Sequence, residues 1–451
     1  MTSHVPAGKG FALPLFASAF HKVFTPERRI FIKTQQSKVF SKNTLLFLIS
    51  QTVSLFGSSL VQYAITWHIT LTTQSGAMMT LSILCGFLPT LLISPFAGVW
   101  ADRHSRKMLI ALADSFIALA TLITAIVFLT GHGSIELLLF AAALRALGTG
   151  VQNPAVGALL HDLVPPEGLM RVNAVNTSIM SGVMLVSPMV SGALLTVMPL
   201  ETVFFVDVIT AALAVVILTF FVKSPRRQGA ETAPEETPAG YFGDFKKGLS
   251  YVRCHPYLRR FFLYVAGFTF LIAPCAFLSP LQVTRNFGAE VWRLTAIEIA
   301  FSGGMMAGGA LIATWGGFRN RIHTMILAGV VVGVGNAVLG LMPNFIPYLF
   351  VMAVLGASTP FFNTPATVLL QEKVEPEFLG RVFGVLTMIS SSMMPLGMLF
   401  FGPLADSVSL NWIFVLVGTL LFLMAALMLR SRTFVSAGEP AAKQPSPQGA
   451  D

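Results

Sequence analysis

The chain has 451 residues, of which 54% are hydrophobic and 11% charged, with a formal net charge of +9. Soluble proteins carry roughly 25% charged residues, and a water-facing surface cannot be built from so few. This excludes a soluble enzyme, a disordered chain and a nucleic-acid-binding domain, and three scattered cysteines (Cys85, Cys254, Cys275) exclude a disulfide framework or a zinc site.

Residues 1–42 read as a cytoplasmic N-terminal segment. Phe11 to Phe20 is apolar and Ala17-Ser18-Ala19 resembles a cleavage site, as in a signal peptide. Only Lys9 precedes that stretch, whereas Lys22, Arg28, Arg29, Lys33, Lys38 and Lys42 follow it, so an uncleaved tail against the membrane is expected.

Crossing a bilayer core takes roughly 20 apolar residues in a helix. Twelve such stretches follow, near 44–66, 77–100, 108–130, 135–158, 173–197, 202–222, 259–283, 291–314, 323–342, 345–370, 381–404 and 410–430. Lipid offers no partner to open backbone groups, and the alternating segments of a membrane β-barrel are missing. The fold class is therefore an all-α membrane protein with twelve transmembrane helices. Of the 29 Lys and Arg, Arg145 lies within a span and the loops of one face hold only Arg285 and Arg293. The others fall on the face of the termini and the central loop, which the positive-inside rule makes cytoplasmic.

The central loop, residues 223–257, divides the spans into six-helix bundles at 43–222 and 258–432. It opens as a Pro-, Glu- and Thr-rich linker. It continues with Phe242, Phe245, Leu249 and Val252 at helical spacing, which reads as an amphipathic helix on the inner leaflet. The tail, 433–451, reads as disordered.

The halves repeat each other. Val164-Pro165-Pro166-Glu167-Gly168-Leu169-Met170-Arg171-Val172 matches Val374-Glu375-Pro376-Glu377-Phe378-Leu379-Gly380-Arg381-Val382 at six of nine positions, offset by 210. Trp100 to Arg106 also aligns with Trp315 to Arg321, with the aspartate lost in the second copy. A duplicated six-span unit points to a two-bundle transporter.

Polar stripes run along three spans: Gln51, Ser54, Ser58 and Gln62 on span one; Arg145, Thr149 and Gln152 on span four; Thr359, Asn363 and Thr367 on span ten. Such stripes either bond helix to helix or line a cavity. Span seven offers only Ser279 and Gln282 near its end. Ionisable groups inside a span are functional candidates because burying them is costly. Arg145 sits about ten residues from the outer side and Glu298 about seven, so their depths agree within roughly 5 Å and a pair is expected. Asp114 is expected to snorkel or to pair with arginines of the loop before it, Asp207 to be a helix-end group, and Asp406 to reach water.

Gly98-Val99-Trp100-Ala101-Asp102-Arg103-His104-Ser105-Arg106-Lys107 resembles the G-x-x-x-D-R-x-x-R-[KR] signature of the major facilitator superfamily, with Ser105 at the usual glycine. Arg145 to Pro154 resembles that family's R-x-x-x-G motif. Ser187-Pro188-Met189-Val190-Ser191-Gly192 resembles its antiporter motif G-P-x-x-G-G, with serine twice for glycine. With Leu379 to Gly384 and Pro395-Leu396-Gly397, the chain is most similar to the macrolide-efflux and enterobactin-exporter branch of drug:proton antiporters. The resemblance implies two bundles rocking around a cavity lined by spans one, four, seven and ten, and a cytoplasmic latch made by Asp102 and Arg106. It also implies export of a drug-like or siderophore-like amphiphile in exchange for protons, by a monomer in the inner membrane without cofactor, metal or nucleotide. Import of a nutrient stays open. No H-E-x-x-H, G-x-S-x-G or Walker motif is present, so catalysis and ATP drive are not expected. Span one holds no acid, so Glu298, then Asp114, are the coupling candidates. Arg145 is the fixed charge, and a static Arg145–Glu298 pair is the alternative.

Overall fold

The structure, a computed structural model, describes residues 41–223 and 248–438. The readings placed before residue 41, on the linker with Phe242 and Phe245, and on the tail beyond 438 lie outside the described residues. Among the described residues the regular structure is helical throughout, and twelve helices are long and apolar enough to cross a membrane. They are α1 (Lys42–Thr73), α2 (Gly76–Arg103), α3 (Arg106–Leu129), α4 (Ile135–Leu163), α5 (Leu169–Val197), α6 (Leu200–Val216, prolonged by a π turn at Ile217–Phe221), α7 (Pro256–Phe287), α8 (Val291–Trp315), α9 (Arg321–Leu341), α10 (Phe345–Lys373), α11 (Leu379–Ser407) and α12 (Leu410–Arg430). The protein is a multi-pass membrane protein.

Local chemistry sets the ends. Ser41, Ser75, Ser105 and Ser134 each accept the backbone N–H three residues on, capping α1 to α4. Ser105, which replaces a glycine of the signature loop, is thus the cap of α3. Pro89, Pro95, Pro154 and Pro188 lie inside helices without ending them, as membrane neighbours permit. α1 outruns its expected end at 66 and runs to Thr73, where Gln74 turns left-handed and returns its N–H to Thr70 O; Thr66, Thr70 and Thr73 bond their hydroxyls back to the carbonyls of Gln62, Thr66 and Ile69.

The two halves pack by one plan. In the first, α2 lies on α4, α3 on α4 and α6, and α1 on α5 and α6; in the second, α8 lies on α10, α9 on α10 and α12, and α7 on α11 and α12. The repeat seen in the loops is therefore a repeat of helix pairs. Each half carries the same tie from its third helix to its fourth: Arg106 to Asp162 and Arg321 to Glu372. The α8–α10 crossing is close because Gly304 and Gly308 face backbone: a Cβ there would stand 1.9 and 2.1 Å from the carbonyl oxygens of Ala353 and Ala357.

One expectation changes. Residues 248–254 are helical, but Val252 is buried in the core of the second half. Tyr251 stacks on Phe378, centroids 4.3 Å apart, and its hydroxyl accepts the N–H of Glu375. This turn docks on protein at the α10–α11 corner, and Leu249 is exposed.

Candidate functional site

Twelve crossings bring the chain back to its starting side, the terminal face. Four features on the path between the two faces bear on function.

The first is a seam between the halves at the opposite face. The N-terminus of α2 leaves N–H groups unpaired, and Asp406 at the end of α11 takes them. Its carboxylate accepts Gly76 N at 2.7 Å, Ala77 N at 2.9 Å and the Ser75 hydroxyl at 2.8 Å. Arg285 of α7 donates to Asp406 at 2.9 Å and to the carbonyls of Ala405 and Gln74. An anion on a helix N-terminus and a cation on an exposed carbonyl both have favourable electrostatics. Deeper in, Thr80 donates to Met398 O at 3.0 Å. Backbones touch here: a Cβ on Gly76 would stand 2.2 Å from Gly402 O. Asp406 is exposed, as expected, and in addition takes the orphan N–H groups of α2.

The antiporter-motif helix joins the same seam. A Cβ on Gly192 would meet the Thr295 hydroxyl of α8 at 1.8 Å. Ser191 donates to Leu60 O at 3.0 Å, and Ser187 and Pro188 are buried, the Ser187 hydroxyl without a partner. The hydrogen bonds joining the halves cluster at this face. Toward the terminal face, a Cβ on Gly98 of α2, Gly182 of α5 or Gly384 of α11 would meet nothing within 4 Å. The halves close on one side and diverge on the other.

The second feature is a pair of buried polar networks in the first half. Arg145 pairs with Asp207 and also reaches Thr121 and Ser58 O; Asp207 accepts from Ser58 and Thr121, both at 3.1 Å. One turn and more toward the terminal face, Asp114 accepts Ser54 at 2.6 Å and Gln152 at 2.7 Å on one oxygen, and its other oxygen has no partner. The expected Arg145–Glu298 pair is therefore absent. α4 packs on α3, which brings Asp207 of α6 to Arg145, while α8 reaches the first half along α5. Asp207 is fully buried and is not a helix-end group. Asp114 neither snorkels nor pairs with the loop arginines. Ser54, Ser58 and Gln152 serve these acids; Thr149 bonds back to Arg145 O, Gln51 Nε2 is buried without a partner, and Gln62 is exposed.

The third feature is a cavity of about 500 Å³. Its lining comes wholly from the second half, so the residues expected from spans one and four do not line it. Thr359, Asn363 and Thr367 do, together with Glu298 and the rings of Phe268 and Phe362, which stack at 4.6 Å. Asn363 and Thr367 are exposed, toward the open terminal side.

The fourth is the signature loop. Arg106 holds Asp162 at 2.7 Å, Ala158 O at 2.8 Å and Ala101 O at 3.3 Å, with Asp102 at 3.6 Å. Lys107 donates to Thr219 O and Val222 O, closing the end of α6. Asp102 and Arg103 are exposed. In this state Arg106 braces the first half, and Gly98 makes no close helix contact because its side of the seam is open.

Sequence reasoning passed over Arg285 and Asp406 as site residues. Their signal was weak: each is an ion at a helix end, but Glu136, Glu201, Glu290 and Arg293 lie at helix ends of the same face.

A family model described as Major Facilitator Superfamily matches residues 47–398 and 276–450. Macrolide efflux protein A of Streptococcus pyogenes is 30% identical over 377 residues, 83% of this chain and 92% of that protein. Macrolide efflux protein A of Enterococcus faecalis is 31% identical over 326 residues, 72% of this chain and 100% of that one. Among solved structures, an inward-facing, unoccupied bacterial homologue of the human lysosomal transporter Spinster shares the fold, with a TM-score of 0.64 at 17% identity, covering 89% of this chain and 100% of that one.

Proposed function

This chain belongs to the Major Facilitator Superfamily, and we propose that within it the chain exports a macrolide-like amphiphile by alternating access, in exchange for protons. The family handles small molecules, and the relatives named for macrolide efflux support that cargo. The observation that carries the reading is the asymmetry of the seam, closed at the opposite face by Asp406, Arg285 and the α2 N-terminus and open around the cavity at the terminal face. The bundles at 43–222 and 258–432 then rock as bodies joined by 223–257, each chain working as a monomer. Opening the opposite face breaks the Asp406 cap, and closing the terminal face brings the signature loop against the second half.

The charge bias supports a cytoplasmic terminal face in an inner membrane. Reporter fusions after Pro199 and after Pro343 are expected to read external; a cytoplasmic readout at either overturns the topology. In the signature loop, Arg106→Ala strips Ala101, Ala158 and Asp162 of their shared donor. It is expected to remove most transport while the protein still inserts, as is Asp102→Asn. Unchanged flux in both variants reduces the loop to a topology anchor.

The export reading is tested in cells lacking their own exporters, loaded with a radiolabelled macrolide. Expression of this chain is expected to lower retention, and a protonophore to restore it. Retention equal to that of the empty vector overturns the reading.

A further inference from the structure

Of the two polar residues near the end of span seven, Ser279 borders the cavity and Gln282 does not. Gln282 is fully buried on α7. Its Nε2 donates to Leu339 O of α9 at 3.1 Å and to Asn411 Oδ1 of α12 at 3.2 Å, and its Oε1 accepts the Tyr348 hydroxyl of α10 at 3.0 Å. Asn286, one turn on, donates to the same Asn411 oxygen at 2.8 Å. The main packing of α7 is on α11 and α12, so this one side chain adds ties to α9 and α10.

We propose that Gln282 is the positioning residue of the opposite-face gate: it pins the end of α7 to the second half, so that Arg285 is held out to Asp406 and to the Gln74 carbonyl. The inference rests on the alternating-access reading above, in which that seam is the gate. Arg285 follows Gln282 by three residues, just under one turn of helix. Between the cavity wall and the gate α7 has a weak point. Pro280 has no N–H, so Ala276 O lacks its helical donor, and helices bend most readily at such a residue. Gln282 stands two residues past that point. Without its bonds the end of α7, residues 281–287, would be free to swing and to carry Arg285 away. A buried amide costs free energy unless its polar atoms are met, and a swing of α7 would strip Leu339 O, Asn411 and Tyr348 from it at once.

Arg285 does two things in the seam. It holds Asp406, of its own half, at 2.9 Å, and it binds Gln74 O of the first half directly at 3.2 Å. Loss of Gln282 is expected to withdraw both contacts. The bonds from Gly76, Ala77 and Ser75 to Asp406 do not depend on Gln282, so its loss is expected to open the gate less than Asp406→Ala does, and no more than Arg285→Ala.

The test is the alkylation rate of a cysteine at Thr80, buried in the closed seam, in the full chain in nanodiscs with Cys85, Cys254 and Cys275 replaced. Gln282→Met keeps the bulk and removes the donors and the acceptor; it is expected to speed labelling about threefold to tenfold. Tyr348→Phe removes one bond and is expected to speed it about twofold. Because Gln282 acts through Arg285, Gln282→Met is expected to add almost nothing in the Arg285→Ala background. A general loosening of the second half would instead speed labelling equally in both backgrounds. Labelling equal in Gln282→Met and its parent, or a full Gln282 effect without Arg285, overturns the inference. Where Gln282→Met does not fold, Tyr348→Phe decides by the same two comparisons. Labelling reads the gate without any cargo. A gate that answers Gln282→Met in a chain that exports no macrolide refutes the export reading alone, and export with a gate that ignores Gln282→Met refutes this inference alone. Labelling that ignores Asp406→Ala as well overturns the gate and this inference together.

Discussion

Arg145→Ala is expected to destabilise the protein by about 3–5 kcal/mol, the cost of leaving a buried charge without its partner. Asp207 is fully buried, and its charge is met by one guanidinium. Ser58 and Thr121 still donate to it after the change, but neither carries charge. Arg145 also ties α4 to α1 through Ser58 O and to α3 through Thr121, so the loss falls on four helices at once. Removing both charges is a different matter: Arg145→Met with Asp207→Leu is expected to recover most of the stability, because an apolar pair needs no desolvation. Unfolding in mild detergent, followed by tryptophan fluorescence, compares the three proteins. A single variant as stable as the wild type would show that the pair is not ionised in the folded state.

That pair also marks how far the sequence can be read. Twelve spans, the internal repeat and the signature loop follow from hydropathy, charge counting and a nine-residue repeat, because lipid imposes length and apolarity on every crossing. Depth along a helix is legible in the same way: Arg145, Asp207 and Glu298 all lie within about ten residues of the same face. Rotation about the helix axis and the neighbour it faces are not. Two acids at matching depth were available to one arginine, and only the packing of α4 on α3 and α6 on α3 decides for Asp207. The polar stripe of span one illustrates the limit again. Its period fits a cavity wall, yet Ser54 and Ser58 turn to buried acids, while the stripe of span ten does face the cavity. A cap such as Ser105 depends only on its own helix start, whereas Asp406 finds Gly76 and Ala77 across 330 and 329 residues of chain.

The second large effect concerns that seam. Asp406→Ala is expected to release two N–H groups of α2, the Ser75 hydroxyl and Arg285. A hydrogen bond to a charged group contributes about 1.5–3 kcal/mol, and these partners are partly exposed, so a net loss at the lower end is expected. About 1.4 kcal/mol is tenfold in an equilibrium, which shifts the population toward an open opposite face by roughly that factor. Asp406→Asn keeps the shape but weakens the charge and is expected to fall between. Arg285→Ala is expected to act in the same direction. The readout is alkylation of a cysteine placed at Thr80, buried in the closed seam: faster labelling in Asp406→Ala than in the parent fits the account, and equal labelling contradicts a gating role.

Alternation itself is tested most directly by two distances in one protein. With Cys85, Cys254 and Cys275 replaced, spin labels at Thr72 and Val408 span the opposite face, and labels at His104 and Glu377 span the terminal face; all four positions are exposed. Under substrate and proton conditions that drive turnover, the first pair is expected to lengthen as the second shortens, with Asp406→Ala biasing both toward the lengthened opposite face. Two distances that stay fixed, or that lengthen and shorten together, contradict transport by alternating access in this chain.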